Sequence, residues 1–256
     1  MDCSQWRVAP GAPAVPGPSP ASKLVVGKPA PAAAPSRAPA LDAWRQCSAS
    51  TGRAEWECTV STQRRIAYLH IPKAGSSSSR TVLTTLDSDA KFSVCTADTL
   101  QKFRAQGYAV VSFVRSPLSR FYAGYEEMVA RHLGKPWQSA ALTRVFAEYP
   151  NYKAYESHYG DPKSLTRLFE AFMAVYDGEA LDEHMYTQLY HLPPAALLSS
   201  LGDTTEIESV FQTLLQRRGE PVPPELGKAA RGGRTFPRRM DVASVSAETK
   251  RRICRL

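Results

Sequence analysis

From residue 64 onward, apolar positions fall in short continuous runs that alternate with stretches of helical spacing. RIAYLHI (65–71) is an apolar run that stops at Pro72, as a buried strand does. SSSSRTVLTTL (76–86) sets Val82, Leu83 and Leu86 at helical spacing behind serines suited to an N-cap. KFSVC (91–95) predicts a second strand, and TADTLQKFRAQG (96–107) a helix capped by Thr96 and stopped by Gly107. YAVVSFV (108–114) is almost continuously apolar, the character of a parallel-sheet interior. RSPLSRFYAGYEEMVARHL then opens a helix with Ser116 as cap and Pro117 in its first turn. Leu118, Tyr122, Tyr125 and Val129 form its buried stripe. Strand, loop and helix in repetition predict an α/β fold, a parallel sheet flanked by helices. Farther on, helical patterns at 138–149, 163–176, 206–218 and 245–256 predict a mainly helical C-terminal part. They are interrupted by one strand-like run, AALLSSL (195–201).

The amino-terminal quarter reads differently. Residues 9–41 hold nine of the twenty prolines, which removes strand and helix donors at every one of them. Residues 1–41 are therefore expected to be a disordered Pro/Ala-rich stem or linker. Residues 42–63 are a lead-in segment, and 64–256 the domain that carries the chemistry. No apolar run reaches the roughly 18–20 residues of a membrane span. The amino terminus also lacks the charged-then-apolar pattern of a signal peptide. Membrane attachment is expected only through an anchor not present in this chain, whose last residues, RRICRL, fall within a helical pattern.

A formal net charge of +8 and a pI near 9.3 favour anionic partners without ranking them. The five cysteines, at 3, 47, 58, 95 and 254, form no C-x-x-C pair, so no zinc site is expected. Cys47 and Cys58 flank a short polar segment, where a local disulfide and free thiols are both open readings.

The chemistry gathers at two strand ends, where open α/β sheets bind ligands. In the loop after the first strand, Gly75 lets main-chain amides approach an oxyanion, and the helix opening at Ser76 aims its unpaired N–H groups there. Lys73 adds a full charge, and Ser76, Ser77, Ser78 and Ser79 add hydroxyl donors. The lysine precedes the glycine, so this is not the Walker A loop, G-x-x-x-x-G-K-[ST]. At the second strand end, Arg115 faces the start of the next helix and suits a second phosphate held bidentately. Two such sites on neighbouring strands suggest a nucleotide with phosphates at both ends of its ribose.

HIPKAGSSS, followed about forty residues later by VVSFVRSPLSRFYAGY, resembles the paired nucleotide-binding motifs of the sulfotransferases. The similarity is closest to the Golgi carbohydrate and protein branch, with motifs near H-I-P-K-T-G-G-T-S and F-V-R-D-P-x-x-R-x-x-S-x-Y. LDEHMYTQ (181–188) is similar to that branch's H-W-x-P-Q segment. The resemblance implies a P-loop-like fold and 3′-phosphoadenosine 5′-phosphosulfate as sulfuryl donor. It also implies a glycan or protein acceptor, itself anionic, and a Golgi location, with no metal and no nucleic-acid partner. By the same resemblance, Lys73, Ala74, Gly75 and Ser76 to Ser79 hold the 5′-phosphosulfate, and Arg115 the 3′-phosphate. One family ligand is replaced: the serine eight residues after the arginine is Ala123 here, with Ser116 and Ser119 as candidate substitutes.

For catalysis Lys73 is expected to stabilise the leaving phosphate. His184, in the family-like DEHMYTQ segment, is expected to be the general base. Asp98 is the next candidate base, ahead of His158 and His191, and His70 reads as a packed structural histidine. Two rival classes share parts of this pattern. A P-loop nucleotide kinase fits the strand-loop-helix core but should carry G-K-[ST] and an acidic magnesium ligand. A non-catalytic polyanion binder fits RGGRTFPRRM (231–240) and KRRICR (250–255), but not apolar strands that end at two anion loops.

Overall fold

A computed structural model describes residues 53–137, 139–158, 160–178, 181–231 and 240–255. The stem expected over 1–41 lies outside the described residues, as does Cys47.

One sheet of five strands forms the centre. They are β1 (Glu55–Ser61), β2 (Ile66–Leu69), β3 (Lys91–Thr96), β4 (Ala109–Val114) and β5 (Ser200–Asp203), in the order β3-β1-β2-β4-β5. β2, β4 and β5 pair in parallel, whereas β1 runs antiparallel to both β2 and β3. The sheet is thus mixed, not wholly parallel. The reason is local: the short turn 62–65, with Arg65 in left-handed backbone (φ 46°), joins β1 to β2 as a hairpin. Such a turn cannot join parallel neighbours, which need a long crossover. β1 lies in the segment read as lead-in. Its apolar signal is only the alternation Trp56, Cys58, Val60, all three buried on one face.

β4 is buried at all six positions and sits inside the sheet. On one face pack α1 (Ser76–Leu86), α7 (Ile207–Gln216) and α8 (Leu226–Arg231), which close a core on Tyr68, Phe113 and Phe211. On the other face lie α2 (Ala97–Ala105) and the chain around Leu192–Leu198, against Leu69, Val110 and Val114. The second, helical core joins α3 (Pro117–His132), α4 (Ala140–Val145), α5 (Tyr152–Glu156), α6 (Pro162–Val175) and α9 (Ala247–Ile253) around Tyr125, Phe169 and Phe172. Thr96 caps α2, its Oγ1 accepting from Thr99 N at 3.2 Å, and Gly107 follows in left-handed backbone. AALLSSL divides instead of running as one strand: Ala195–Leu197 forms a single 3-10 turn, and pairing with β4 starts only at Ser200. Pro193 and Pro194 just ahead supply no N–H to a ladder.

Cys58 is joined to Cys95, not to Cys47, with Cα atoms 6.2 Å apart. Cys58 faces Ser93, and Cys95 faces Trp56, so the two cysteines are diagonal neighbours on one face of β1 and β3. Both are wholly buried there. No described helix is long and apolar enough to cross a membrane.

Candidate active site

The loop between β2 and α1 is tightly folded. Lys73 (φ 62°) and Gly75 (φ 77°) both take left-handed backbone, on either side of the buried Ala74. For a lysine that conformation costs about 1–2 kcal/mol, which the surrounding contacts must hold in place. Gly75 is the N-cap of α1, and no side chain caps the helix, so its first amides remain available to an anion. At Gly75 a Cβ would meet Ile207 Cδ1 at 2.7 Å, a second reason for glycine beside its φ. Ser77 is exposed, Ser76 and Ser78 half-buried. Ser79 is wholly buried beside Tyr68, and its amide already donates to Gly75 O at 2.9 Å, so the amides left for an anion at this loop lie ahead of it.

The loop after β4 touches the first. Arg115 Nη1 donates to Lys73 O at 3.3 Å, which ties the two predicted phosphate positions together. α3 starts with Pro117 at its first position, and Ser116 makes no side-chain cap bond. Ala123, in the place of the family serine, is half-buried on the second turn of α3.

A third segment, 182–188, straps across both loops. Gln188 accepts from Arg115 N and donates to Arg115 O, each at 2.7 Å, so it locks the main chain there. Arg120, buried in α3, donates from Nε to Pro72 O (2.9 Å) and from Nη1 to Tyr186 O (2.5 Å). One guanidinium therefore joins the first loop to the strap, and burial lowers its pKa to about 10. At Gly124 the strap lies against the helix itself: a Cβ there would sit 2.3 Å from His184 O.

The strap brings His184 near Glu127, the carboxylate that holds the lysine. Asp182 Oδ1 takes both the His184 main-chain N–H (2.9 Å) and ring Nδ1 in a short contact. Burial would raise the Asp182 carboxyl, but its bonds to His184 outweigh it and hold the carboxyl below its ordinary range. With Nδ1 engaged, Nε2 is the ring nitrogen that can take a proton. Glu127 connects the two sides: it accepts from Lys73 Nζ at 2.8 Å and from Arg131 Nε at 2.9 Å, and His184 is among the groups that lower its carboxyl.

The other candidate bases lie elsewhere. Asp98 is exposed in the first turn of α2, at the end of edge strand β3, two strands from β2. His158 packs edge-on against Tyr149. His191 is buried between Arg53 and Glu183 O, and burial with two neighbouring arginines drives its pKa to about 3. His70 is buried on the Thr59 hydroxyl at 2.8 Å and is lowered to about 4, chiefly by burial.

Sequence reading missed Arg120, Glu127, Asp182 and Gln188. A signal for part of this set was present: Arg120, Gly124, Glu127 and Arg131 recur at helical spacing, a polar stripe beside the apolar one.

No curated protein and no solved structure gives a significant match to this chain. A family model does. The model described as the sulfotransferase family matches residues 56–210, from β1 into the first turn of α7, and so takes in both loops, Arg120, Glu127 and the strap. The match spans more than half of the sequence, and the chain belongs to the sulfotransferase family.

Proposed function

We propose that this enzyme moves a sulfuryl group from 3′-phosphoadenosine 5′-phosphosulfate to a hydroxyl of a glycan or protein acceptor. The observation that carries this reading is the contact of Arg115 with Lys73 O, which sets two cationic loops side by side at the ends of parallel strands. An anion at the uncapped start of α1 and a second beside Arg115 match a nucleotide phosphorylated at both ends of its ribose. In this reading the loop Ala74 to Ser79 holds the 5′-phosphosulfate through the amides at the start of α1 and the outer serine hydroxyls. Arg115 holds the 3′-phosphate.

The acceptor oxygen bonds to sulfur as the bond from sulfur to the bridging phosphate oxygen breaks. The acceptor proton passes to His184 Nε2, with Asp182 fixing the ring through Nδ1. Negative charge grows on the bridging oxygen, where Lys73 stabilises it. His191 and His70 are too weakly basic for the proton's part, with pKa values near 3 and 4.

The domain that does this takes in β1 as well as 64–256, preceded by the Pro/Ala-rich stem. A buried Cys58–Cys95 bond favours an oxidising compartment and so supports a Golgi lumen location. The test is to incubate the protein with sulfur-labelled donor and a mixture of glycosaminoglycans and tyrosine peptides. Labelled acceptor and free 3′-phosphoadenosine 5′-phosphate should appear together. Transfer of labelled phosphate from ATP to the same mixture would contradict the reading.

A further inference from the structure

Glu127 stands where a donor site would not be expected to put a carboxylate. It lies on the same stripe of α3 as Arg120 and Gly124, and its Oε2 takes the Lys73 ammonium at 2.8 Å. Arg131, one turn on, holds the other oxygen at 2.9 Å, so the carboxylate is fixed from both ends. Both partners of the Lys73 pair are largely shielded, with 18% and 17% of the side chain exposed. Burial favours the neutral acid, yet hydrogen bonds from Lys73 and Arg131 hold Glu127 below its ordinary range, so it stays a carboxylate at neutral pH. A negative charge beside an ammonium that meets an anion must weaken anion binding. In return it restrains a long, flexible side chain whose placement at the reacting oxygen decides its catalytic effect.

We infer that Glu127 is a positioning residue that anchors the Lys73 ammonium to α3, gaining transition-state alignment at the expense of donor affinity. This inference rests on the reading of Lys73 as leaving-group stabiliser. It makes a two-sided prediction that a purely structural role does not. Glu127→Gln keeps the size and one acceptor oxygen but removes the charge. It should bind 3′-phosphoadenosine 5′-phosphate roughly three- to tenfold more tightly, because a repulsion is lost. Its release of that nucleotide from the sulfuryl donor should fall roughly tenfold or more, because the ammonium is no longer held.

Glu127→Asp keeps the charge and shortens the reach. Nucleotide affinity should stay within about twofold of the parent while release slows, since charge is retained and alignment is not. Calorimetry with 3′-phosphoadenosine 5′-phosphate and a donor-turnover assay on the full chain give both readouts. Weaker nucleotide binding in Glu127→Gln, or unchanged turnover in either variant, would overturn the positioning role. No binding of 3′-phosphoadenosine 5′-phosphate to the parent protein would overturn the reading of the loops and this role with it.

Discussion

Lys73 combines a left-handed backbone, a main-chain carbonyl held by Arg115 and an ammonium held by Glu127. Three restraints on one residue leave little freedom for the charge it carries. Truncation to alanine removes the charge but not the amides at the start of α1 or the Arg115 guanidinium. Lys73→Ala should therefore slow sulfuryl transfer by roughly a hundredfold or more, the scale of one well-placed electrostatic donor. The accompanying loss of 3′-phosphoadenosine 5′-phosphate affinity should be much smaller. Steady-state turnover set beside calorimetry checks this, and intact turnover would remove Lys73 from the chemistry. At this scale the candidate site was legible where its residues are neighbours in sequence. Lys73, Gly75 and Arg115 each sit in a short motif beside a strand end. Glu127 and Gln188 were not legible, because their partners lie 54 and 73 positions away and only the fold brings them together.

Among the elements, the strap 182–188 decides where His184, the proposed base, stands. Nothing in its own sequence makes it a helix or strand, and Arg120, Gln188 and the close approach at Gly124 seat it. Gly124→Ala would place a methyl 2.3 Å from His184 O, with main chain on both sides unable to swing away. That substitution should cost about 1–3 kcal/mol of stability, as overpacking does, and should slow transfer by displacing His184. Chemical denaturation and turnover measured on the same preparation test it. An unchanged midpoint with unchanged turnover would mean that the strap is not held this way. β1 shows why part of the sheet escaped the sequence. Its polar residues Glu55, Glu57, Thr59 and Ser61 break the apolar run, although Thr59 and Ser61 are buried where β1 pairs with β2. β2 and β4 were read correctly, since continuous burial leaves continuous apolar runs.

Over the whole molecule, buried histidines link stability to pH. His70 and His191 are neutral in the folded protein, with pKa values lowered to about 4 and about 3, whereas an unfolded histidine titrates near 6.5. Below about pH 6.5 the unfolded chain therefore binds more protons than the folded one, and stability falls as pH falls. The loss should be on the order of a few kcal/mol between about pH 6.5 and pH 4. Glu127 and Asp182, held below ordinary carboxylate values, add to it from about pH 5 downward, as their unfolded forms take up protons first. Urea unfolding at a series of pH values checks the sign, and a stability that rises on acidification through this window would contradict it.

On the proposed function, two loops, one after β2 and one after β4, together read one nucleotide at both of its phosphates. Binding of 3′-phosphoadenosine 5′-phosphate and of AMP, compared by calorimetry in the parent protein and in Arg115→Ala, tests this most directly. The parent should prefer the 3′-phosphorylated nucleotide by roughly tenfold or more, the worth of one charge-assisted phosphate contact. Arg115→Ala should bind both nucleotides with nearly equal, weaker affinity. Equal affinity for the two nucleotides in the parent protein would contradict the account.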